Sequence, residues 1–173
     1  GKMVLPGLID SHIHIFGSGA PPSMNALPNP ERNVSAFLYA GITTVIDMGG
    51  PVEDLEEISQ KIDTNQIIGP RLFYAGRLFT RKGGHPAAMI RRIAPWLIDE
   101  YVVWKLIFEV NDGDDIEAMV LENKKYGASF SKLVVDQIPL GVPSLNADQV
   151  ARIVKTSAEN NFISLAHIGS EAD

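Results

Sequence analysis

Short apolar segments alternate with amphipathic segments along the chain. Five of the apolar segments have the β-branched and aromatic composition typical of buried strands; they cover residues 4–15, 43–48, 70–75, 130–135 and 162–167. Three amphipathic segments space their apolar residues three or four positions apart, which predicts helices; these cover residues 53–62, 114–126 and 148–159. A shorter helix is predicted over residues 33–40, and Asn146 is the predicted cap of the last helix.

Three other stretches fit the alternation less well. Residues 76–86 are rich in glycine and predict a loop. Residues 87–109 predict a helix that starts at Ala87, followed by a short strand over residues 102–108. Residues 20–30 contain four prolines, so we expect a long loop there.

The order of the elements indicates an α/β fold. The strands are continuous apolar runs, which is typical of a parallel sheet covered by helices. An open doubly wound sheet and a (β/α)8 barrel both fit this order. No Gly-x-Gly-x-x-Gly follows the first strand, which disfavours a nucleotide-binding sheet. Because a complete barrel needs about 200 residues or more, about five strand–helix units would be an incomplete TIM-like barrel, one partial domain over residues 1–173, if the fold is a barrel.

Composition restricts the classes of partner. The net charge is −6 with both signs interspersed, so no basic face for nucleic acid is expected. No run of about 18 apolar residues is present, and the first residues lack the pattern of a signal peptide, so we expect a cytoplasmic protein without membrane contact. The chain contains no cysteine. Any metal must therefore be bound by histidine, carboxylate or a modified side chain.

Three histidines lie at the ends of predicted strands. His12 and His14 follow the first strand as Asp-Ser-His-Ile-His, and in an extended segment residues i and i+2 point to the same side. Two imidazoles at the carboxyl end of a parallel strand would form a metal clamp, although a solvated loop would also tolerate them. His167 ends the fifth strand and is either a third ligand or a hydrogen-bonded buried histidine.

Lys132 lies inside a strand that is otherwise apolar. Lysine is seldom fully buried unless it is paired. Lys132 therefore either reaches the solvent from the strand end, pairs with a carboxylate, or is neutral and adds carbon dioxide to become a carbamate. A carbamate is anionic and could bridge two metal ions.

Four segments together resemble the amidohydrolase superfamily, in the imidazolonepropionase-like and Xaa-Pro-dipeptidase-like branch. The first is Val-Leu-Pro-Gly-Leu-Ile-Asp-Ser-His-Ile-His, which ends at His14. The second is Ala-Gly-Ile-Thr-Thr-Val at residues 40–45, and the third is Gly-Gly-His-Pro at residues 83–86. The fourth is Gly-Ala-Ser-Phe-Ser-Lys, which ends at Lys132. They follow the order of the family along essentially the whole chain.

The resemblance implies a distorted barrel with two divalent metal ions, zinc by default, that hydrolyses a C–N bond in an amide, a cyclic amide or a dipeptide. His12 and His14 would bind one metal, His167 would bind the other, and Lys132 as a carbamate would bridge them. His85 would face the small-molecule substrate, or it is an ordinary residue of a glycine-rich turn. Asp10 would orient the clamp or cap the turn.

The family also uses a histidine after its sixth strand, an aspartate after its eighth strand as the general base, and a flanking β-sandwich. The predicted units end at the fifth strand, so we expect these parts to lie outside this chain, which would then hold no catalytic base and be inactive by itself. A mononuclear deaminase, which would not need Lys132, is one alternative. A non-catalytic fragment that self-associates through exposed sheet edges is another.

Overall fold

The structure, a computed structural model, describes residues 1–17 and 28–169. Most of the predicted proline-rich loop over residues 20–30 lies outside the described residues. The elements in chain order are β1 (Leu8–Ile13), α1 (Pro30–Tyr39), β2 (Ile42–Asp47), α2 (Val52–Asp63), β3 (Arg71–Tyr74), β4 (Leu78–Arg81), α3 (Ala87–Ile93), α4 (Asp99–Leu106), β5 (Ile107–Val110), α5 (Ile116–Lys125), β6 (Phe130–Val134), α6 (Ala147–Glu159) and β7 (Ile163–His167).

The described strands form two parallel sheets. One has the order β1-β2-β3 and the other has the order β5-β4-β6-β7, and every paired strand is parallel to its neighbour. The backbone N–H of Ser129 donates to the carbonyl oxygen of Tyr74 at 2.8 Å, which joins the start of β6 to the end of β3. The prediction of an α/β fold with parallel sheets and alternating strand–helix units is confirmed.

Two of the local predictions are wrong. The glycine-rich segment at residues 76–86 contains β4, whose Phe79 is fully buried against Phe108 and Leu133. Residues 102–106 belong to α4 rather than to a strand, which begins only at Ile107. The β-branched residue Val103 favours a strand by itself, but in α4 it packs into a cluster with residues of α3, and this burial overrides its propensity.

The first helix also begins earlier than predicted. Asn29 caps α1 by accepting a hydrogen bond from the N–H of Arg32 at 3.0 Å, and Pro30 occupies the first helical turn, where a missing N–H has no consequence. The side chain of Asn33, three residues into this helix, donates to the carbonyl oxygens of Ile15 and Gly17. The predicted cap of α6 is confirmed, since Asn146 forms a capping box with Gln149.

A short interruption separates β3 from β4. Gly76 has a φ of 74°, and a Cβ there would lie 2.7 Å from the side chain of Asn123. The fully buried amide of Asn123 accepts from the N–H of Arg77 at 3.0 Å and donates to its carbonyl oxygen at 2.9 Å. The side chain of a helix residue thereby takes the place of a strand neighbour at this break.

Helices cover the strands through two main apolar clusters. The cluster under the first sheet includes Val45, Leu55 and Tyr74, and the cluster under the second includes Leu133 and Ile153. Within each sheet the carboxyl ends of the described strands point the same way, because every pairing is parallel, and the site described next lies at those ends. Within residues 1–17 and 28–169, no helix has both the length and the apolar character needed to cross a bilayer.

Candidate metal centre

A cavity of about 450 Å³ opens at the carboxyl ends of the strands. It is lined by all four histidines of the chain and by the buried lysine: His12, His14, His85, His167 and Lys132. The other wall is mostly apolar and includes Met48, Leu78, Met89, Ile90, Leu106 and Ile107. The structure therefore brings together the side chains that were predicted to carry chemistry, although they come from distant parts of the chain.

The side chains of His12, Ile13 and His14 point alternately to opposite sides, as they do in an extended strand. Ile13 is buried in the core, while the rings of His12 and His14 point into the cavity with their centroids 5.7 Å apart. Nδ1 of His14 lies 3.1 Å from the carbonyl oxygen of Gly49. A carbonyl only accepts hydrogen bonds, so Nδ1 carries the proton and Nε2 is left to bind a metal.

Asp10 lies inside β1, where its carboxylate accepts a hydrogen bond from the backbone N–H of His12 at 3.2 Å. The two roles inferred for Asp10 stay predictions. Burial lowers the pKa of His12, and the charge that Lys132 carries when it is protonated lowers it further. A lower pKa keeps the imidazole neutral at physiological pH, which is the form that binds metals.

Asp47 supports this segment from the end of β2. Its buried carboxylate accepts hydrogen bonds from the N–H groups of Ile15 at 2.7 Å and Gly49 at 2.9 Å. Burial raises the pKa of Asp47 to about 6, and the two backbone donors oppose that rise. Asp47 therefore fixes the backbone of Ile15, which follows His14, and the backbone of Gly49, whose carbonyl oxygen orients the His14 ring.

Lys132 is buried in the middle of β6, with 6% of the residue exposed. No described residue forms a hydrogen bond or an ion pair with its amine. Burial lowers the pKa of Lys132. Of the three interpretations of this lysine, a paired cation has no partner in the described part of the chain and an exposed amine does not fit the burial.

His85, Asp136 and His167 form a second group in the same region. Their ligand atoms all lie within 4.8 Å of one another, a spacing at which they could hold a metal ion. The rings of His85 and His167 have centroids 5.8 Å apart, and Nδ1 of His85 lies 3.0 Å from the carbonyl oxygen of Ile138. As for His14, this contact places the proton on Nδ1 and leaves Nε2 for a ligand.

The sequence profile of the amidohydrolase family matches residues 3–173. The chain belongs to the amidohydrolase family. The resemblance inferred from the four sequence segments is thereby confirmed. No curated protein matches the chain.

Several solved structures of the same kind superpose on the chain. A prolidase complexed with N-methylphosphonate-L-proline is 26% identical with a TM-score of 0.73, over 95% of this chain and 43% of the prolidase. Another amidohydrolase is 25% identical with a TM-score of 0.70, over 96% and 44% of the two chains. A Xaa-Pro dipeptidase with methionine in its active site is 22% identical with a TM-score of 0.67, over 94% and 43%. The similarity to the dipeptidase, at 22% identity, is evidence for a shared fold only.

The chain spans less than half of the length of these structures. It corresponds to part of an amidohydrolase barrel, which favours the barrel architecture over the open doubly wound sheet. The roles of individual residues as metal ligands remain predictions.

Two acidic residues near the cavity of this amidohydrolase, Asp47 and Asp136, are absent from the sequence-based prediction. Asp47 is the last residue of β2, as His167 is of β7, and Asp136 lies two residues beyond the end of β6. Asp136 also continues the two-residue alternation that begins at Lys132. A search for every polar residue at a strand end would have found them.

Proposed function

We propose that this chain is part of a metal-dependent hydrolase that cleaves a C–N bond in an amide, a cyclic amide or a dipeptide. The observation that carries the proposal is the cavity shared by four histidines and a buried lysine at the carboxyl ends of parallel strands. In barrel enzymes that end carries the active site. Membership of the amidohydrolase family supports the same conclusion.

The donor set fits divalent metal ions. Neutral imidazole and carboxylate ligands suit zinc in particular, with manganese, iron and cobalt as other choices. His12 and His14 would bind one ion, His14 through Nε2, and His167 would take part in binding a second. Lys132 would join the two sites after its neutral amine adds carbon dioxide and releases a proton, which forms a new N–C bond and an anionic carbamate.

Divalent metal ions bound there would lower the pKa of a water molecule and polarise the substrate carbonyl. The residues of this chain would position the substrate. The apolar wall formed by Met48, Leu78 and Met89 would bury an apolar group next to the scissile bond and exclude water from it. His85 faces the same space and would contact either the substrate or a metal.

A mononuclear deaminase is the alternative within the same family. It would use His12, His14 and His167 without Lys132. The burial of Lys132 in the cavity wall, without a carboxylate partner among the described residues, favours the lysine-bridged site. The two alternatives differ in how much metal remains after Lys132 is removed.

Self-association through sheet edges is a second proposal that does not depend on catalysis. The edge strands β1 and β7 expose large apolar residues, with Ile9 at 68% and Ile163 at 71% exposure. Such edges invite pairing with a second copy of the chain. We expect light scattering to give a dimer or larger species, and Ile163→Lys to shift it toward a monomer. A compact wild-type monomer at micromolar concentration would contradict this proposal.

The test of the hydrolase proposal is metal content, measured by elemental mass spectrometry on protein purified without chelator. We expect about two zinc ions per chain in a binuclear site, and a loss of one or both in His14→Ala and in Lys132→Ala. Lys125→Ala, an exposed lysine of α5, is the matched control and should retain the metal. A wild type that binds a single ion and retains it in Lys132→Ala would support the deaminase instead.

Activity is tested separately on the same protein. A panel of Xaa-Pro dipeptides and N-acyl amino acids is suitable, because the superposed structures include prolidases. We expect no release of the free amine by this chain alone, because the general-base aspartate is predicted to lie outside it, and metal-dependent release by a protein that also carries the remaining strands. A metal-loaded protein with all of the strands but without activity on this panel would contradict the proposed substrate class but not the metal site.

A further inference from the structure

The helical hairpin formed by α3 and α4 is apolar both where it packs on the sheet and where it faces the solvent. Its packed side belongs to a cluster that includes Ile90, Val103 and Ile107. Its solvent side and its turn form a surface, called here the hairpin surface, with six large apolar residues that are exposed: Ile93, Trp96, Leu97, Ile98, Tyr101 and Trp104. A helix that is apolar all round is ordinarily buried all round, so this surface indicates an interface.

The exposed apolar area of the hairpin surface is large enough for a stable interface. A large aromatic side chain contributes about 150–250 Å², and Trp96, Tyr101 and Trp104 are each more than half exposed. With the three aliphatic residues, the total is on the order of 800 Å² per chain, which is about what each partner buries in a stable protein–protein interface. The largest apolar patch of a typical monomer covers only about 300–600 Å².

The hairpin surface carries both a projection and a groove. Trp96 lies in the turn before α4 and is 80% exposed. A groove of about 240 Å³ lies beside α4, and its apolar lining includes Trp104, Phe108 and Met119. The guanidinium carbon of Arg77 lies 4.0 Å from the centre of the Phe108 ring and 5.5 Å from that of Trp104. This stacking holds the two rings that line the groove in place.

We propose that the hairpin surface is the interface of a two-fold dimer, in which Trp96 of each copy occupies the groove of the other. A two-fold interface is reciprocal, so a projection and a matching groove on one chain satisfy each other twice. The groove suits an indole, because its apolar lining accommodates the ring. The carboxylates of Glu100 and Glu109, which also line the groove, can accept a hydrogen bond from the indole N–H.

The charges along α4 favour the antiparallel pairing of two copies of this helix. Asp99 and Glu100 lie in its first turn and Lys105 lies in its last turn. In an antiparallel pair the acidic turn of each copy lies beside the basic turn of the other, and the helix macrodipoles oppose each other. The remaining strands of a barrel are a less suitable partner, since they would add beside β1 and β7, whereas the hairpin packs against β4 and β5 through Leu78 and Ile107.

This dimer is separable from pairing through sheet edges. Trp96 and Trp104 are the only tryptophans in the sequence, so indole fluorescence reports on the hairpin surface alone. Pairing through β1 or β7 would leave both indoles in water. Ile163→Lys, which is expected to weaken edge pairing, should therefore retain the hairpin dimer even where it removes larger species.

The experiment is a dilution series of the full chain, with the mass measured by light scattering and the exposure of the indoles by acrylamide quenching. We expect a dimer at the higher concentrations, together with a loss of quenching. Trp96→Ala should raise the dissociation constant of the dimer at least about 30-fold, because a tryptophan that fills a pocket contributes strongly to an interface. Leu140→Ala, a matched control at a leucine that is 92% exposed, should associate as the wild type does.

A monomer throughout the series would overturn the proposal, and so would a dimer whose indoles are quenched as strongly as those of the monomer. Indoles that phosphatidylcholine vesicles shield while the protein stays monomeric would also overturn it, in favour of a lipid-facing surface. If Trp96→Ala does not fold, as judged by circular dichroism, Leu97→Glu decides the question, because a charge at this exposed position should abolish the dimer. None of these outcomes depends on bound metal, so the test is independent of the hydrolase proposal.

Discussion

Nδ1 of His14 lies 3.1 Å from the carbonyl oxygen of Gly49, so an imidazole that follows the first strand is oriented by the backbone that follows the second. Gly49 is itself held by the carboxylate of Asp47, which also accepts a hydrogen bond from the N–H of Ile15. The position of the candidate ligand thus depends on a residue that does not enter the cavity lining.

The first prediction concerns this supporting role of Asp47. Asp47→Ala leaves the buried N–H of Ile15 and the partly buried N–H of Gly49 without acceptors, so we expect the free energy of unfolding to fall by about 2–4 kcal/mol. Loss of the support should also weaken metal binding at the His12 and His14 pair by about 10–100-fold. Urea denaturation and cobalt titration measure the two effects. Asp63→Ala, at an exposed position of α2, is the control, and an equal loss of affinity there would refute the role.

The second prediction is that Lys132 lowers the free energy of unfolding and is needed for metal binding. The amine is buried and burial lowers its pKa, so the charged form is disfavoured there. We expect Lys132→Met to raise the free energy of unfolding of the metal-free protein by about 1–2 kcal/mol and to reduce bound metal. The exposed control Lys125→Met should change stability by less than about 0.5 kcal/mol. A clear loss of stability in Lys132→Met would show that the lysine serves the fold.

The third prediction is that the stability contributed by the turn before His85 depends on pH. Glu109 accepts hydrogen bonds from Arg91 and from the N–H of Gly83 at 2.8 Å each. The hydrogen bonds from Arg91 lower the pKa of Glu109 below its ordinary value of 4.5. The stabilisation is therefore fully present above about pH 4.5, the unfolded-state value, and is lost as the pH falls through the lower folded-state value.

Glu109→Gln tests this dependence. At pH 7 we expect it to lower the free energy of unfolding by about 1–3 kcal/mol, and the difference from the wild type should shrink as the pH falls below about 4.5. Chemical denaturation across this range measures it. Glu117→Gln, on the exposed side of α5, should show no such convergence, and a pH-independent difference for Glu109→Gln would contradict the assignment.

The fourth prediction concerns the break between β3 and β4. Asn123 satisfies both backbone groups of Arg77, at 3.0 and 2.9 Å, in a fully buried position. We expect Asn123→Ala to lower the free energy of unfolding by about 2–4 kcal/mol, since both groups lose their partner. Glu117→Ala on the same helix should stay within about 0.5 kcal/mol of the wild type. Thermal or urea denaturation distinguishes the two, and equal effects would reject the role of Asn123.

Much of the fold could be predicted because local patterns and burial agree. The apolar run at residues 130–135 contains β6, and the spacing over residues 148–159, together with the asparagine cap, predicts α6. The strand β4 was missed because its four residues lie between glycines and carry no periodicity. The end of α4 was missed because Val102 and Val103 favour a strand by themselves, whereas their packing against α3 is a tertiary effect.

The sequence by itself determined the family, the parallel α/β character and the histidines and lysine that deserve testing, because short motifs and apolar runs are local properties. The convergence of His85, Asp136 and His167 and the support of His14 by Gly49 and Asp47 were decided only by the tertiary structure. These relationships depend on which strands are neighbours and on their register. Distances between residues tens of positions apart are set by that packing and not by any local pattern.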